Sequence, residues 1–134
     1  MPTETPRDAE MVEQAIRSWA QSWDKGDVAQ YLAHYADDFV PARSVTHQQW
    51  VHQRTARLTL SALRQVLLRD VRVTVNADKA QAEFTQHYLD MYLISTARKR
   101  LTLVKRAGDW KIREELVAEE HMAPRQAQVR LDRQ

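Results

Sequence analysis

The chain of 134 residues contains no cysteine and only two glycines. The absence of cysteine excludes disulfide bonds, thiolate catalysis and cysteine-ligated zinc sites. With Gly26 and Gly108 far apart, the sequence offers no glycine-rich phosphate-binding loop. It also lacks an apolar run that approaches the about 18 residues of a membrane-spanning helix. These absences remove several common classes of site and the helical membrane proteins from consideration.

The sequence also has almost no excess of charge of either sign, since it contains 20 Lys and Arg residues and 18 Asp and Glu residues. A dedicated nucleic-acid binder would show a basic stripe, so we predict neither a nucleic-acid nor a membrane partner. The first six residues lack the basic and apolar regions of a signal peptide. A cytoplasmic location is therefore the default expectation, and a periplasmic one applies if the chain is cut from a longer exported protein.

What the sequence does contain is helical periodicity in its first half. Residues 7–25 carry apolar side chains at spacings of three and four, which predicts one helix; these side chains are Val12, Ala15, Ile16, Trp19 and Trp23. Gly26 should end this helix, and Asp27 should cap a second one over residues 28–35. A third helix is predicted from about residue 47 to 60, because Trp50, Arg54 and Leu58 recur every four residues.

After residue 63 the period changes from 3.6 to 2, which indicates strands. Four are predicted as an antiparallel meander, at 65–75, 80–93, 96–106 and 110–118. We therefore predict an α+β fold in which three N-terminal helices pack on a strongly curved antiparallel sheet, a cystatin-like cone. The long second strand is the expected place of the bend. Residues 1–119 should form one domain and residues 120–134 a polar tail, with a short helix near 127–131.

Two parts of the sequence resemble a known family. Trp19-x3-Trp23, Gly26-Asp27 and the run from Tyr31 to Phe39 resemble the opening of the nuclear transport factor 2-like superfamily, which includes the SnoaL-like and ketosteroid-isomerase-like proteins. Residues 108–112 are similar to the last hairpin of that fold. A narrower resemblance is to the accessory SnoaL-like domain of some bacterial L,D-transpeptidase-related and tetratricopeptide-repeat proteins. It is carried by Phe39-Val40-Pro41, Trp50 with Arg54, Phe84-x-Gln86-x-Tyr88 and Trp110-x-Ile112-x-Glu114.

The resemblance also predicts what the isomerases of this fold would need. Aligned without gaps, their catalytic aspartate would fall near Arg43, and their oxyanion-binding tyrosine would fall at Trp19. An arginine stays protonated and an indole is a weak neutral donor, so neither residue can perform the required step. We therefore expect no intact set of isomerase residues.

Strand alternation predicts a polar site among core residues. Gln86 and Tyr88 share one face of their strand with Phe84 and Asp90, and Glu114 shares a face with Trp110 and Ile112. The predicted ligand-binding residues are Trp19, Tyr31, Tyr35, Trp50, Arg54, Gln86, Tyr88 and Glu114. The alternative is that Arg54 and Glu114 form a buried ion pair that ties the third helix to the sheet, with no ligand involved.

Other residues are weaker candidates. Asp37 and Asp38 could serve as paired carboxylates, although a solvated turn explains them as well. His34 could shuttle a proton or could be a surface residue. No two histidines have ligand spacing, so we predict no metal site, and no motif indicates a cofactor.

The outer face of the sheet is predicted to carry His87 and the apolar side chains of Leu89, Met91 and Leu93, followed by the basic residues Arg98, Lys99 and Arg100. Such a face suggests a homodimer, and cover by the C-terminal tail is the alternative.

Three hypotheses of function follow from these features. The first is an accessory module that binds a small apolar or mixed ligand in the cone, without catalysis. The second is a small acid–base isomerase, lyase or cyclase, with Glu114 or Asp90 as base and Tyr88 as donor. The third is an interaction domain whose cone is filled by its own side chains.

Overall fold

Three helices and five strands make up the computed structural model, which describes residues 6–41, 45–60 and 64–124. The elements are α1 Pro6–Lys25, α2 Val28–Ala33, β1 Tyr35–Val40, α3 His47–Leu60, β2 Arg64–Asn76, β3 Lys79–Asp90, β4 Leu93–Arg106 and β5 Asp109–Pro124. The strands form one sheet in the order β1-β5-β4-β3-β2. The α+β architecture and the four-stranded meander are as predicted. No helix within the described ranges is long and apolar enough to cross a membrane.

The boundary between α1 and α2 forms as the sequence predicts. Gly26 has a φ of 70°, the left-handed conformation that glycine adopts at least cost, and ends α1. The carboxylate of Asp27 then accepts a hydrogen bond of 3.1 Å from the backbone N–H of Gln30. This contact satisfies one of the free N–H groups at the start of α2.

The second helix is shorter than predicted, because the chain becomes a strand at Tyr35. His34 caps α2, and β1 then pairs in parallel with β5. The backbone N–H of Ile112 donates to the carbonyl oxygen of His34 over 2.8 Å. The sheet is therefore five-stranded and mixed, whereas the sequence predicted an antiparallel sheet of four strands.

Irregularities in β2 and β5 shape the sheet. The pairing of β4 with β5 shifts by one residue between Thr102 and Leu103, and again between Thr96 and Arg98. The pairing of β2 with β3 shifts near Asp70, whose φ is 56°. The β3–β4 pairing has no shift. Bulges bend a strand and increase its twist. The bulges lie in β2 and β5, whereas the sequence predicted the bend in β3.

The last strand continues farther than predicted. Residues 119–124, most of which were expected to be tail, pair with the start of β4, for example Ile94 with Ala123. The remainder of the predicted tail and its short helix at 127–131 lie outside the described residues. The predicted boundary of the domain at residue 119 therefore falls inside a strand.

An aromatic cluster fills the space between the helices and the sheet. Trp19 and Trp23 of α1 contact each other with ring centroids 5.5 Å apart, and Trp19 lies 6.0 Å from Phe84 of β3. Tyr35 and Phe39 of β1 both pack on Trp50 of α3. These edge-to-face and tilted contacts are the arrangements that aromatic rings favour. Two members of this cluster, Trp23 and Trp50, also line the cavity of the candidate site.

Candidate functional site

A cavity of about 180 Å³ lies between α3 and the strands β3, β4 and β5. Its wall combines aromatic and aliphatic side chains with several charged ones. The lining residues are Trp23, Val45, Trp50, Gln53, Arg54, Arg57, Gln86, Tyr88, Leu93, Ser95, Lys99, Glu115, Val117, Glu120 and Met122. A concave site with a few convergent polar groups is the usual form of a small-molecule site. At about 30 Å³ per water molecule, its volume equals about six waters, so only a small ligand fits.

A buried cluster of three charges forms one wall of the cavity. The ammonium of Lys99 lies 2.7 Å from a carboxylate oxygen of Glu115, and both side chains are almost fully buried. The guanidinium of Arg54 lies 3.8 Å from the other oxygen of the same carboxylate. Two cations thus share one anion, and the cluster carries a net positive charge.

Aromatic rings surround the cationic side of this cluster. The Lys99 ammonium lies 5.2 Å from the ring centroid of Trp23 and 5.8 Å from that of Trp19. The Arg54 guanidinium lies 5.9 Å from the Trp23 ring. Burial lowers the pKa of Lys99, and the neighbouring Glu115 carboxylate opposes this effect. The rings and the carboxylate stabilise a charge that burial alone would disfavour.

Four residues that line the cavity carry a buried polar atom without a hydrogen-bond partner among the described residues. These atoms are Nε1 of Trp23, Nε1 of Trp50, Nε of Arg54 and Oε1 of Gln86. Buried polar groups in proteins are nearly always paired, and leaving one unpaired costs about 1–3 kcal/mol. Their concentration on one cavity is what a binding site for a polar ligand requires.

The structure brings together half of the residues predicted from the sequence. Trp50, Arg54, Gln86 and Tyr88 all line the cavity. The Tyr88 hydroxyl donates to Asp90 over 2.7 Å. Burial, followed by the neighbouring Asp90, raises the Tyr88 pKa above its usual range.

Three predicted residues do not line the cavity but form a buried hydrogen-bond chain beside it. The indole N–H of Trp19 donates to the hydroxyl of Tyr35 over 2.8 Å, and that hydroxyl donates to the hydroxyl of Tyr31 over 2.9 Å. Burial raises the pKa of both tyrosines. Since the three groups satisfy one another, they belong to the core rather than to the cavity wall.

Glu114 was predicted to face the cavity, and this prediction is wrong. Because Arg113 is the extra residue of a bulge, alternation along β5 shifts by one position after Ile112. The buried carboxylate is therefore Glu115, and Glu114 does not line the cavity. The predicted ion pair with Arg54 exists, but its acidic partner is the next residue along the chain.

Lys99 is the important residue that the sequence interpretation missed. It was grouped with Arg98 and Arg100 as an outward-facing basic run. The apolar residues Leu101 and Leu103 point into the core, and alternation along the same strand places Lys99 on their side. The signal was therefore present in the strand pattern, two residues before Leu101.

The remaining candidates have structural explanations. Asp38 forms an exposed pair with Arg106 and Arg113, which lower the pKa of its carboxylate. His34 contacts the carbonyl oxygen of Gln30 and the hydroxyl of Ser18. Arg43, where the isomerase aspartate would fall, lies outside the described residues.

The outer face of the sheet carries some exposed apolar side chains, partly other than those predicted, together with charged ones such as Glu83 and Arg100. Leu67 and Leu116 are about half exposed there. Leu93, predicted to lie on this face, instead lines the cavity, and Met91 lies in the bend between β3 and β4. Residues 91–92 form a bend between β3 and β4, so the inward–outward alternation of β3 does not continue to Leu93. The sequence-based prediction assumed that it did.

Comparison with known families identifies one match, which spans most of the chain. Residues 11–116 match the family described as the Cds6 C-terminal NTF2-like domain. No curated protein sequence matches the chain significantly.

Solved structures share the fold at low sequence identity. Bd1075 from Bdellovibrio bacteriovorus superposes with a TM-score of 0.74 at 19% identity, covering 80% of this chain and 38% of Bd1075. A protein of unknown function with a cystatin-like fold from Nostoc punctiforme gives a TM-score of 0.70 at 19% identity, covering 87% of this chain and 93% of that one. Pgp2, a helical cell shape determining protein from Campylobacter jejuni, gives 0.69 at 15% identity, with 76% and 38% covered. The chain thus spans well under half of Bd1075 and Pgp2.

Proposed function

Because the chain belongs to the family of the Cds6 C-terminal NTF2-like domain, we propose that it is an accessory module that binds a small ligand in the cavity under α3 and catalyses no reaction of its own. The observation that carries this proposal is the set of four unpaired buried polar atoms on residues of one cavity. Such atoms are concentrated here, since Nε1 of Trp110 is the one further buried indole N–H without a partner among the described residues.

The absence of catalysis is supported by how the candidate bases are held. The Glu115 carboxylate contacts Lys99 at 2.7 Å and Arg54 at 3.8 Å. The Asp90 carboxylate accepts hydrogen bonds from the Tyr88 hydroxyl and from the backbone N–H groups of Tyr92 and Leu93. A general base must reach the proton that it takes from the substrate, and both carboxylates are already engaged by groups of the protein itself.

The accessory role is supported by the length of two similar structures. The matching part makes up 38% of Bd1075 and 38% of Pgp2. In these proteins the fold is one part of a longer chain, which is the arrangement expected of a module that serves another domain.

A second candidate, acid–base catalysis, is favoured by one observation. Lys99 is a buried amine whose pKa is lowered by desolvation, as in enzymes that use lysine as a base or nucleophile. It would require a substrate that displaces Glu115 from the ammonium. Turnover of any ligand that binds in the cavity would support this alternative over the accessory module.

Titration of the isotope-labelled protein with a collection of small polar compounds tests the proposal. We expect some compounds to shift the amide resonances of residues 86, 95 and 117 in NMR spectra. Val117→Phe places a ring in the cavity and should abolish these shifts, whereas Val104→Phe, a change at a half-buried valine away from the cavity, should not. If no compound perturbs these resonances, or if Val117→Phe binds as well as the wild type, the cavity is not a binding site.

A further inference from the structure

The unpaired polar atoms of the cavity are mostly hydrogen-bond donors. The indole N–H groups of Trp23 and Trp50 and the Nε–H of Arg54 lack partners among the described residues, and Gln86 Oε1 is the single unpaired acceptor beside them. Indole and guanidinium groups donate and cannot accept, so only a ligand that accepts hydrogen bonds can satisfy them. A ligand with more acceptors than donors would therefore match these residues best.

The charges of the wall favour the same kind of ligand. Arg54, Arg57 and Lys99 line the cavity together with Glu115 and Glu120, so cations exceed anions by one. Glu115 lies against Lys99 at 2.7 Å, and its charge is therefore balanced inside the wall. A ligand with one negative charge would bring the wall and its occupant to neutrality.

We propose that the ligand is a small carboxylate whose oxygens accept hydrogen bonds from the indoles of Trp23 and Trp50 and from Nε of Arg54. This inference rests on the proposed ligand-binding function and specifies its ligand class. The cavity volume of about 180 Å³ is sufficient for a short acid of a few carbon atoms. Lys99 and Glu115 complete the wall, and Lys99 contributes the charge that keeps Glu115 from repelling the incoming anion.

The wall also explains why other ligand classes fit less well. A primary amide of the same shape presents two N–H donors and no charge, so part of it would face donors. An alkylammonium offers donors only and would add a positive charge beside two buried cations. Hydrogen bonds to a charged acceptor are roughly twice as strong as neutral ones, so the carboxylate should bind tightest of the three.

The four tryptophans of the chain provide the test. Trp23 and Trp50 line the cavity, whereas Trp19 donates to Tyr35, and Trp110 is buried away from the cavity. In ¹H–¹⁵N NMR spectra of the labelled protein, propionate should move the indole resonances of Trp23 and Trp50 downfield. It should leave those of Trp19 and Trp110 in place. Propionamide and propylammonium, of nearly the same size, should bind about tenfold or more weakly.

Two substitutions supply the matched comparison. Trp50→Phe removes one proposed donor and keeps an aromatic ring, so propionate affinity should fall about tenfold. Trp110→Phe removes an indole N–H that is also buried and unpaired, but on a residue outside the cavity wall, and should leave the affinity unchanged. Arg54→Lys should weaken propionate binding by a similar factor while it keeps the charge, since it removes the Nε donor.

The results separate this inference from the function on which it rests. If propionamide or propylammonium moves the two indole resonances at concentrations equal to or below those of propionate, the carboxylate inference is overturned and ligand binding stands. If Trp50→Phe and Trp110→Phe weaken propionate binding equally, the proposed binding of the carboxylate to the Trp50 indole is overturned. If none of the three probes moves the Trp23 and Trp50 resonances, both this inference and binding of such small ligands in the cavity fail.

Discussion

Lys99 and Glu115 face each other across the β4–β5 pairing at 2.7 Å, with 5% and 3% of their side chains exposed. Indole rings lie on the other side of the ammonium. A buried pair of this kind gains little over an apolar pair, but removing one partner leaves an uncompensated charge in the interior. The pair therefore places a buried positive and a buried negative charge in the cavity wall, and a single substitution of either residue should lower the stability of the protein.

Replacing Lys99 should be strongly destabilising. Lys99→Met keeps the aliphatic volume but leaves the Glu115 carboxylate with Arg54, at 3.8 Å, as its remaining cation in the cluster. We expect the free energy of unfolding to fall by about 3–5 kcal/mol, as measured by urea denaturation. Combining Lys99→Met with Glu115→Leu should recover most of the loss, because neither charge then remains buried. A loss below about 1 kcal/mol in the single variant would show that the pair is not buried in solution.

The buried chain of Trp19, Tyr35 and Tyr31 gives a second prediction. Tyr35→Phe removes the acceptor of the Trp19 indole N–H, which lies 2.8 Å from the hydroxyl in a fully buried position. The unfolding free energy should fall by about 1–3 kcal/mol, because a buried donor is left unpaired. Tyr92→Phe, at an exposed tyrosine, is the control and should change stability little. Equal effects of the two substitutions would contradict the role assigned to the hydroxyl.

Replacing each of the two glycines by alanine should lower the stability of the protein by different amounts. Gly26 and Gly108 both have positive φ values, of 70° and 87°, so each substitution strains the backbone by about 1–2 kcal/mol. At Gly26 an added methyl group would also collide with the guanidinium of Arg64, whose Nε donates to the carbonyl oxygen of Trp23 over 2.8 Å. At Gly108 it would meet no atom within 4 Å. Thermal unfolding should show Gly26→Ala to be clearly the more damaging change, and equal melting temperatures would refute this packing argument.

His34 makes stability depend on pH near neutrality. Burial lowers the pKa of its imidazole in the folded protein below the unfolded value of about 6.5. Its contribution to stability is therefore complete above about pH 6.5 and is lost as the pH falls toward the folded pKa, since the unfolded chain takes up the proton first. The unfolding free energy of wild type minus that of His34→Gln should decrease between pH 7.5 and 5, in a comparison that cancels the other histidines. A difference that is constant or rises with acidification would contradict the assignment.

The outer face of the sheet leads to a prediction about assembly. Leu67 and Leu116 are about half exposed on this face, and Arg100 forms an ion pair with Glu83 nearby. Leu67 is on β2 and Leu116 is on β5, so this face combines separate apolar side chains with charges of both signs. Such a face can pair with a second copy of itself, and we expect a homodimer. Light scattering after gel filtration should give the dimer mass for the wild type and the monomer mass for Leu116→Glu. A monomeric wild type at micromolar concentration would refute the homodimer.

The helices could be predicted from the sequence because their signals are local. The spacing of Trp19 and Trp23, the stop at Gly26 and the cap at Asp27 involve residues within a few positions of one another. The stripe of Trp50, Arg54 and Leu58 likewise placed α3 over the sheet with the correct face inward. Patterns of this kind depend on the helical repeat, whereas the early end of α2 depends on the pairing of β1 with the distant β5.

The polar site was harder to predict because a strand's alternation depends on its bulges. A single extra residue at Arg113 moved the buried carboxylate from Glu114 to Glu115. No local composition marked this position, since the bulge is formed against β4 and is a property of the pairing. Lys99 was missed for a different reason, namely that a lysine between two arginines was assumed to be exposed. Its strand pattern indicated burial, and only its charge argued against it.

The parallel pairing of β1 with β5 has a consequence for the order of folding. Tyr35 and Ile112 are opposite each other in the sheet but are separated by more than half of the sequence. Hairpins such as β3–β4 close short loops, whereas this contact requires nearly the whole intervening chain to be arranged first. We therefore expect the β1–β5 pairing to form after the β2–β5 meander.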